Sequence, residues 1–125
     1  MPFENTPLPY AFDALEPYID ARTMEIHHDR HLQAYIDGLN RAIAPFPALQ
    51  NCTAARLAVL NAPALRCIRP ALCRNAGGVF NHRFYFAGMT PDGSRRLPYG
   101  ALQAAVLQTF GTQAAFEDAF TKAAL

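Results

Sequence analysis

Between Thr23 and about Ala44, the residues Met24, His27, His31, Leu32, Tyr35, Ile36, Leu39 and Ile43 recur at the spacing of one helix face. Asp20 stands where it can cap the start of this stretch. Pro45 and Pro47 close it, because a ring in place of the amide hydrogen cannot continue the hydrogen-bond ladder. A long amphipathic helix needs a partner for its apolar side, and Pro70 suits the first turn of a second long helix. The spacing predicts two long antiparallel helices, roughly 21–44 and 70–87.

The remaining segments fit around that pair. Pro2, Pro7, Pro9 and Pro17 favour extended backbone in the residues before them, so 1–20 reads as a lead-in arm. A connector with a short helix around Ala54–Leu60 joins the long helices. Gly77-Gly78 costs about 1 kcal/mol per glycine relative to alanine in a helix, which implies that a neighbouring element comes close to the backbone there. Pro91-Asp92-Gly93-Ser94 is a turn cluster. Beyond it, Leu102, Val106 and Phe110, then Phe116 and Phe120, mark two short amphipathic helices separated by Gly111, with Thr112 placed to cap the second. No stretch alternates with a strand's period, so the chain is expected to be all-α, a helical hairpin with short additional helices in a single domain, 1–125. The many phenylalanines then read as core or interface residues.

Composition removes several function classes. The formal net charge is +1, and the basic residues are scattered from Arg22 to Lys122 rather than gathered into a stripe, so no nucleic-acid partner is expected. No stretch is apolar enough to span a bilayer, and the opening Met1-Pro2-Phe3-Glu4-Asn5 lacks the form of a secretory signal; the expected setting is cytoplasmic, with no membrane partner. Cys52, Cys67 and Cys73 show neither Cys-x-x-Cys nor zinc-finger spacing and read as reduced thiols.

The histidines carry the functional information. His27, His28 and His31 lie on the first long helix and His82 on the second. Positions 27 and 31 are one turn apart on one face, with Tyr35 a further turn along, whereas 28 is rotated about 100° away. Two readings stay open on spacing alone. The rings of His27 and His31 are partly buried and bonded to backbone groups, or histidines from both helices share a metal ion at about 2.1 Å with help from further donors. Glu25 and Asp29 point off the His27 face and do not supply those donors.

Leu8-Pro9-Tyr10 with Leu15-Glu16-Pro17-Tyr18-Ile19-Asp20 is similar to the opening of iron/manganese superoxide dismutases. Thr23-Met24-Glu25-Ile26-His27-His28-Asp29-Arg30-His31, with Ala34-Tyr35 and Leu39-Asn40, resembles that family's first-helix motif. Asn75-Ala76-Gly77-Gly78-Val79-Phe80-Asn81-His82 resembles its second, and the likeness runs on to Leu125. The resemblance implies that His27 and His82 are metal ligands, that His31 and Tyr35 line the substrate channel and relay protons, that the ion is manganese or iron, and that the substrate is superoxide. Gly78, where many iron-type members carry glutamine, leans the ion toward manganese. Phe86 falls where many members have tryptophan, and Ala76 where asparagine is common.

The family continues into an α/β domain whose Asp-x-Trp-Glu-His motif gives the other two ligands, and that motif does not occur in this sequence. The expectation is therefore two of four ligand positions, and an apolar face involving some of Phe80, Phe84, Phe86, Phe110, Phe116 and Phe120 left for a homo-oligomer or for a chain that supplies the complementing domain. Little activity is expected from two imidazoles alone. The rival reading is a noncatalytic structural or assembly subunit of the same fold. A small metal-binding protein unrelated to oxygen chemistry is a third class, and it would need other donors near His27 and His82.

Overall fold

The computed structural model describes residues 3–92 and 98–125, among which every regular element is helical. Gly93 and Ser94 of the turn cluster lie outside the described residues. By contact the chain divides into two compact units, Met1–Pro91 and Asp92–Leu125.

The first long helix forms in three continuous pieces. α1 (Ala21–Glu25) is capped as its sequence implies, with the Thr23 amide donating to Asp20 Oδ1 at 2.8 Å. It passes into a π-helical stretch, Ile26–Leu32, and then into α2 (Gln33–Ile43). The 3.6-residue reading missed the π stretch, in which hydrogen bonds run from i to i+5 and the turn widens. The buried positions show why it forms. Met24, His28, Leu32 and Ile36 are spaced by four residues three times over, and only from Leu39 does the stripe return to mixed steps. A strict α-helix, at 3.6 residues per turn, would drift such a stripe out of the core. Underwinding keeps it facing inward.

The connector holds two single-turn 3₁₀ segments, Pro47–Leu49 and Pro63–Leu65, around α3 (Ala54–Val59), which Thr53 caps through the Arg56 amide. α4 (Arg69–Gly88) then runs back past α2 and α3. Its direction follows from side-chain partners: His27 meets His82, Tyr35 meets Gly78, and Gly38 meets Asn75, so rising numbers on one helix pair with falling numbers on the other. The two are antiparallel.

Of the Gly77-Gly78 pair, only Gly78 is approached closely; a Cβ there would strike the Tyr35 ring, whereas one on Gly77 would meet nothing within 4 Å. The second close approach is at Gly38, where a Cβ would lie 2.6 Å from Asn75 Oδ1. Met24, Ile36, Leu39, Ile43, Leu57, Leu72 and Val79 are sealed between these helices, each contributing about 1.5–3 kcal/mol by burial.

The lead-in arm is tied down at several points. Phe3 exchanges both backbone hydrogen bonds with the Asn40 side chain at 2.8 Å, and the Arg83 guanidinium donates to Glu4 O at 2.7 Å. The Tyr10 hydroxyl donates to Phe86 O at 2.8 Å; burial, with a smaller contribution from Tyr85, raises its pKa and keeps the proton in that bond. Leu15 joins the core.

In the second unit, α5 (Gly100–Phe110) and α6 (Gln113–Ala124) are joined at Gly111, whose φ of 79° favours glycine, and Thr112 caps α6 through the Ala115 amide. Phe110, Phe116 and Phe120 contact one another in sequence. Of the six phenylalanines expected on an uncovered face, Phe80, Phe84, Phe110 and Phe120 are exposed and Phe116 is half-buried. Phe86 is the exception, buried beneath the arm at 3% exposure.

Candidate metal centre

The face of the first helix that widens in the π stretch carries His27 and His31, and the facing turn of α4 carries His82. The His27 and His82 rings lie edge to face with centroids 4.9 Å apart. His31 and His82 stand at the same 4.9 Å, and His27 and His31 at 5.6 Å. One ligand nitrogen from each ring can be chosen so that all three lie within 4.8 Å of one another. Tyr35, the last residue of this row, has its ring 5.2 Å from those of both His31 and His82. The four residues singled out in the sequence are thus brought together at one place.

Hydrogen bonding sorts the histidines into two kinds. His82 Nδ1 lies 2.7 Å from Gly78 O, and since a carbonyl only accepts, Nδ1 carries the proton and Nε2 presents its lone pair. His28 faces the other way, nearly buried, with Nε2 2.9 Å from Thr6 O and Nδ1 2.6 Å from Asp29 Oδ1. It is a structural clamp on the arm. Among the described residues, neither His27 nor His31 makes a hydrogen bond, so the reading that binds both to backbone groups does not hold.

Burial, then the nearby His82 and His31, hold His27 below its ordinary pKa of 6.5. Its imidazole therefore stays neutral, with a lone pair free, to lower pH than an isolated histidine. Both nearby acids are occupied elsewhere: Glu25 pairs with Arg22 at 2.7 Å and Asp29 with His28.

Two aromatic residues that spacing did not single out complete the wall. Tyr85 and Phe86 place their rings 5.4 and 5.1 Å from that of His27. Tyr85 follows His82 by three positions on one helix, which is the signal that could have found it. A depression of about 180 Å³ beside the histidines is lined by His27, Asn81, His82 and Tyr85.

The family pattern described as iron/manganese superoxide dismutases, alpha-hairpin domain, matches residues 2–90. The chain belongs to the iron/manganese superoxide dismutase family. Within that family it is 45% identical over 125 residues to a superoxide dismutase designated Mn from Pseudomonas aeruginosa, covering all of this chain and 61% of that protein. A relative from Leptolyngbya boryana with the same designation is 46% identical over 123 residues, covering 98% of this chain and 51% of its own length. The Thermus aquaticus superoxide dismutase, also designated Mn, is 41% identical over 125 residues, covering 99% and 60%. The chain thus spans between half and two thirds of the length of these superoxide dismutases. No helix among the described residues is long and apolar enough to cross a membrane.

Proposed function

We propose that this chain contributes the helical-hairpin side of a superoxide dismutase centre, in which His27 and His82 hold a manganese or iron ion and superoxide is converted to oxygen and hydrogen peroxide. The observation that carries the reading is the approach of the His27 and His82 rings to 4.9 Å, with His82 Nδ1 committed to Gly78 O and His27 favoured as neutral imidazole. Such a donor pair suits a divalent first-row ion. The bound ion supplies the one-electron couple that takes an electron from one superoxide and returns it to a second.

The protein's own groups handle position and protons. The peroxide product needs two protons, and the Tyr35 hydroxyl, on a ring 5.2 Å from those of His31 and His82, relays them. The His31 ring beside Tyr35, exposed on its other side, orients that hydroxyl and lines the approach of a small anion. Gly78 leaves the space that the Tyr35 ring fills, in keeping with the manganese designation of the relatives. Two imidazoles are an incomplete coordination sphere. The remaining donors are supplied by an Asp- and His-bearing domain outside these residues, on this polypeptide or a second one, and that domain or a second copy of the chain covers the exposed phenylalanines.

The test is metal content and superoxide consumption of the protein with its complementing domain, reconstituted with manganese or iron. His82→Ala is expected to lose the metal and the activity together. Tyr35→Phe is expected to keep the metal while slowing turnover by about 10²-fold or more, the usual scale for loss of a proton donor. Full activity in His82→Ala would defeat the ligand assignment.

A further inference from the structure

His31 belongs to the same cluster as the two ligands, and the reading above leaves its nitrogens without a metal. Its ring is as close to His82 as that of His27 is, both at 4.9 Å, and ligand nitrogens of all three rings come within 4.8 Å of one another. Three nitrogens around one tetrahedral ion with bonds of about 2.1 Å sit about 3.4 Å apart, a contraction within reach of small side-chain rotations. The His31 ring is also unencumbered. Among the described residues it makes no hydrogen bond, and its outer side is open to solvent.

We propose that His27, His31 and His82 together form a three-imidazole site that this chain uses to bind a zinc-type divalent ion by itself. The inference rests on the assignment of His27 and His82 as ligands and adds His31 to them. The spacing has its own logic: His27 and His31 are four residues apart on one helix, an arrangement that aims two imidazoles at one point, and His82 comes across the hairpin from α4. The donor set then decides the ion. The neighbouring carboxylates are taken up by Arg22 and His28, so the site offers imidazole nitrogens without a carboxylate from Glu25 or Asp29. Three neutral imidazoles form a familiar zinc donor set, whereas manganese(II), harder and lower in the divalent affinity order, favours carboxylate. Where an Asp- and His-bearing domain is docked, its donors compete with His31 and return the centre to manganese or iron. The exposed imidazole is the one that can leave.

The experiment titrates the 125-residue chain with cobalt(II), a spectroscopic stand-in for zinc, and follows the visible d–d bands. Tight binding with intense low-coordinate bands is expected, with zinc displacing the cobalt and manganese(II) binding at least about 10-fold more weakly than either. His31→Ala is expected to weaken cobalt binding at least about 10-fold and to alter the bands, and millimolar free imidazole, filling the vacated space, is expected to restore them. Unchanged bands and affinity in His31→Ala, with binding lost in His27→Ala and His82→Ala, would overturn the three-imidazole site while leaving the two-ligand reading intact. Binding unaffected in all three variants would overturn both.

Because a variant can fold poorly, the unsubstituted chain supplies a second measurement. On adding zinc, the ring ¹⁵N resonances of His27, His31 and His82 are expected to move together, while His28, held by Thr6 and Asp29, serves as the fixed reference. A His31 resonance that stays with His28 would also overturn the proposal.

Discussion

The residues up to Pro91 and those from Asp92 onward both form helices, yet among the described residues the buried apolar cluster lies in the first set. In the hairpin unit, seven large apolar side chains are fully buried, and the arm is hydrogen-bonded across both long helices. In the second unit Val106 is the buried apolar residue among those described, while Leu102 and Phe120 are 63% and 66% exposed. All four histidines lie in the first unit. A cluster of imidazoles that must be held to a fraction of an ångström needs rigid packing behind it, and only the hairpin unit provides that.

The strongest way to break this comparison is to cut a methyl-rich side chain from each unit. Leu72→Ala removes a fully buried group from the hairpin and is expected to cost about 2–5 kcal/mol, whereas Leu102→Ala, on the exposed side of α5, is expected to change stability by about 0.5 kcal/mol or less. Chemical denaturation of the two variants measures both. Equal losses would mean that the second unit has a core of its own.

A smaller effect sharpens the comparison at the site itself. In Gly78→Ala the new methyl strikes the Tyr35 ring near its root, where rotation offers little relief, and a loss of about 1–3 kcal/mol is expected. Combining it with Tyr35→Ala should cost less than the sum of the two single changes, since the clash disappears with the ring. Thermal unfolding of the four proteins closes that cycle, and strict additivity would show that the contact is not the cause.

The smallest effect concerns pH. His27 is held below its ordinary 6.5, so below that pH the unfolded chain binds more protons than the folded one, and stability falls with acidification until the folded group also titrates. The urea midpoint is expected to drop between pH 7.5 and pH 5.5, and His27→Gln to reduce that drop. A variant with the full wild-type slope would assign it elsewhere.

Much of this molecule was legible in its sequence because it rests on signals that act locally. The caps at Asp20 and Thr112, the stops at Pro45 and Pro47, and the glycine at Gly111 each fix a boundary through their own chemistry, and the structure observes them within a residue or two. The row of His27, His31 and Tyr35 was visible for the same reason, and the family motifs brought His82 to it. What escaped was cooperative. The close approach at Gly38 depends on Asn75 from another helix, and Phe86 is buried because Tyr10 and the arm fold over it. The π stretch escaped although its trace was present in the four-residue steps from Met24 through Leu32 to Ile36, a rhythm too slow for an α-helix.

That slow rhythm acts as a phase offset. The hairpin has two angular references: the stripe from Ile36 to Ile43, which fixes how the first helix seats on α4, and the bearing of His27, which fixes where its imidazole aims. The underwound residues from His28 to Leu32 stand between the two and set the angle from one to the other. Rewinding the nine steps from His27 to Ile36 as a regular α-helix, at about 100° each in place of the about 90° of four-residue turns, would swing His27 by about 90° around the axis, away from His82, with the hydrophobic contacts of α2 untouched. The chain can thus keep its hairpin and lose its aim, so the winding of this stretch is as much a specification of the centre as the identity of its histidines.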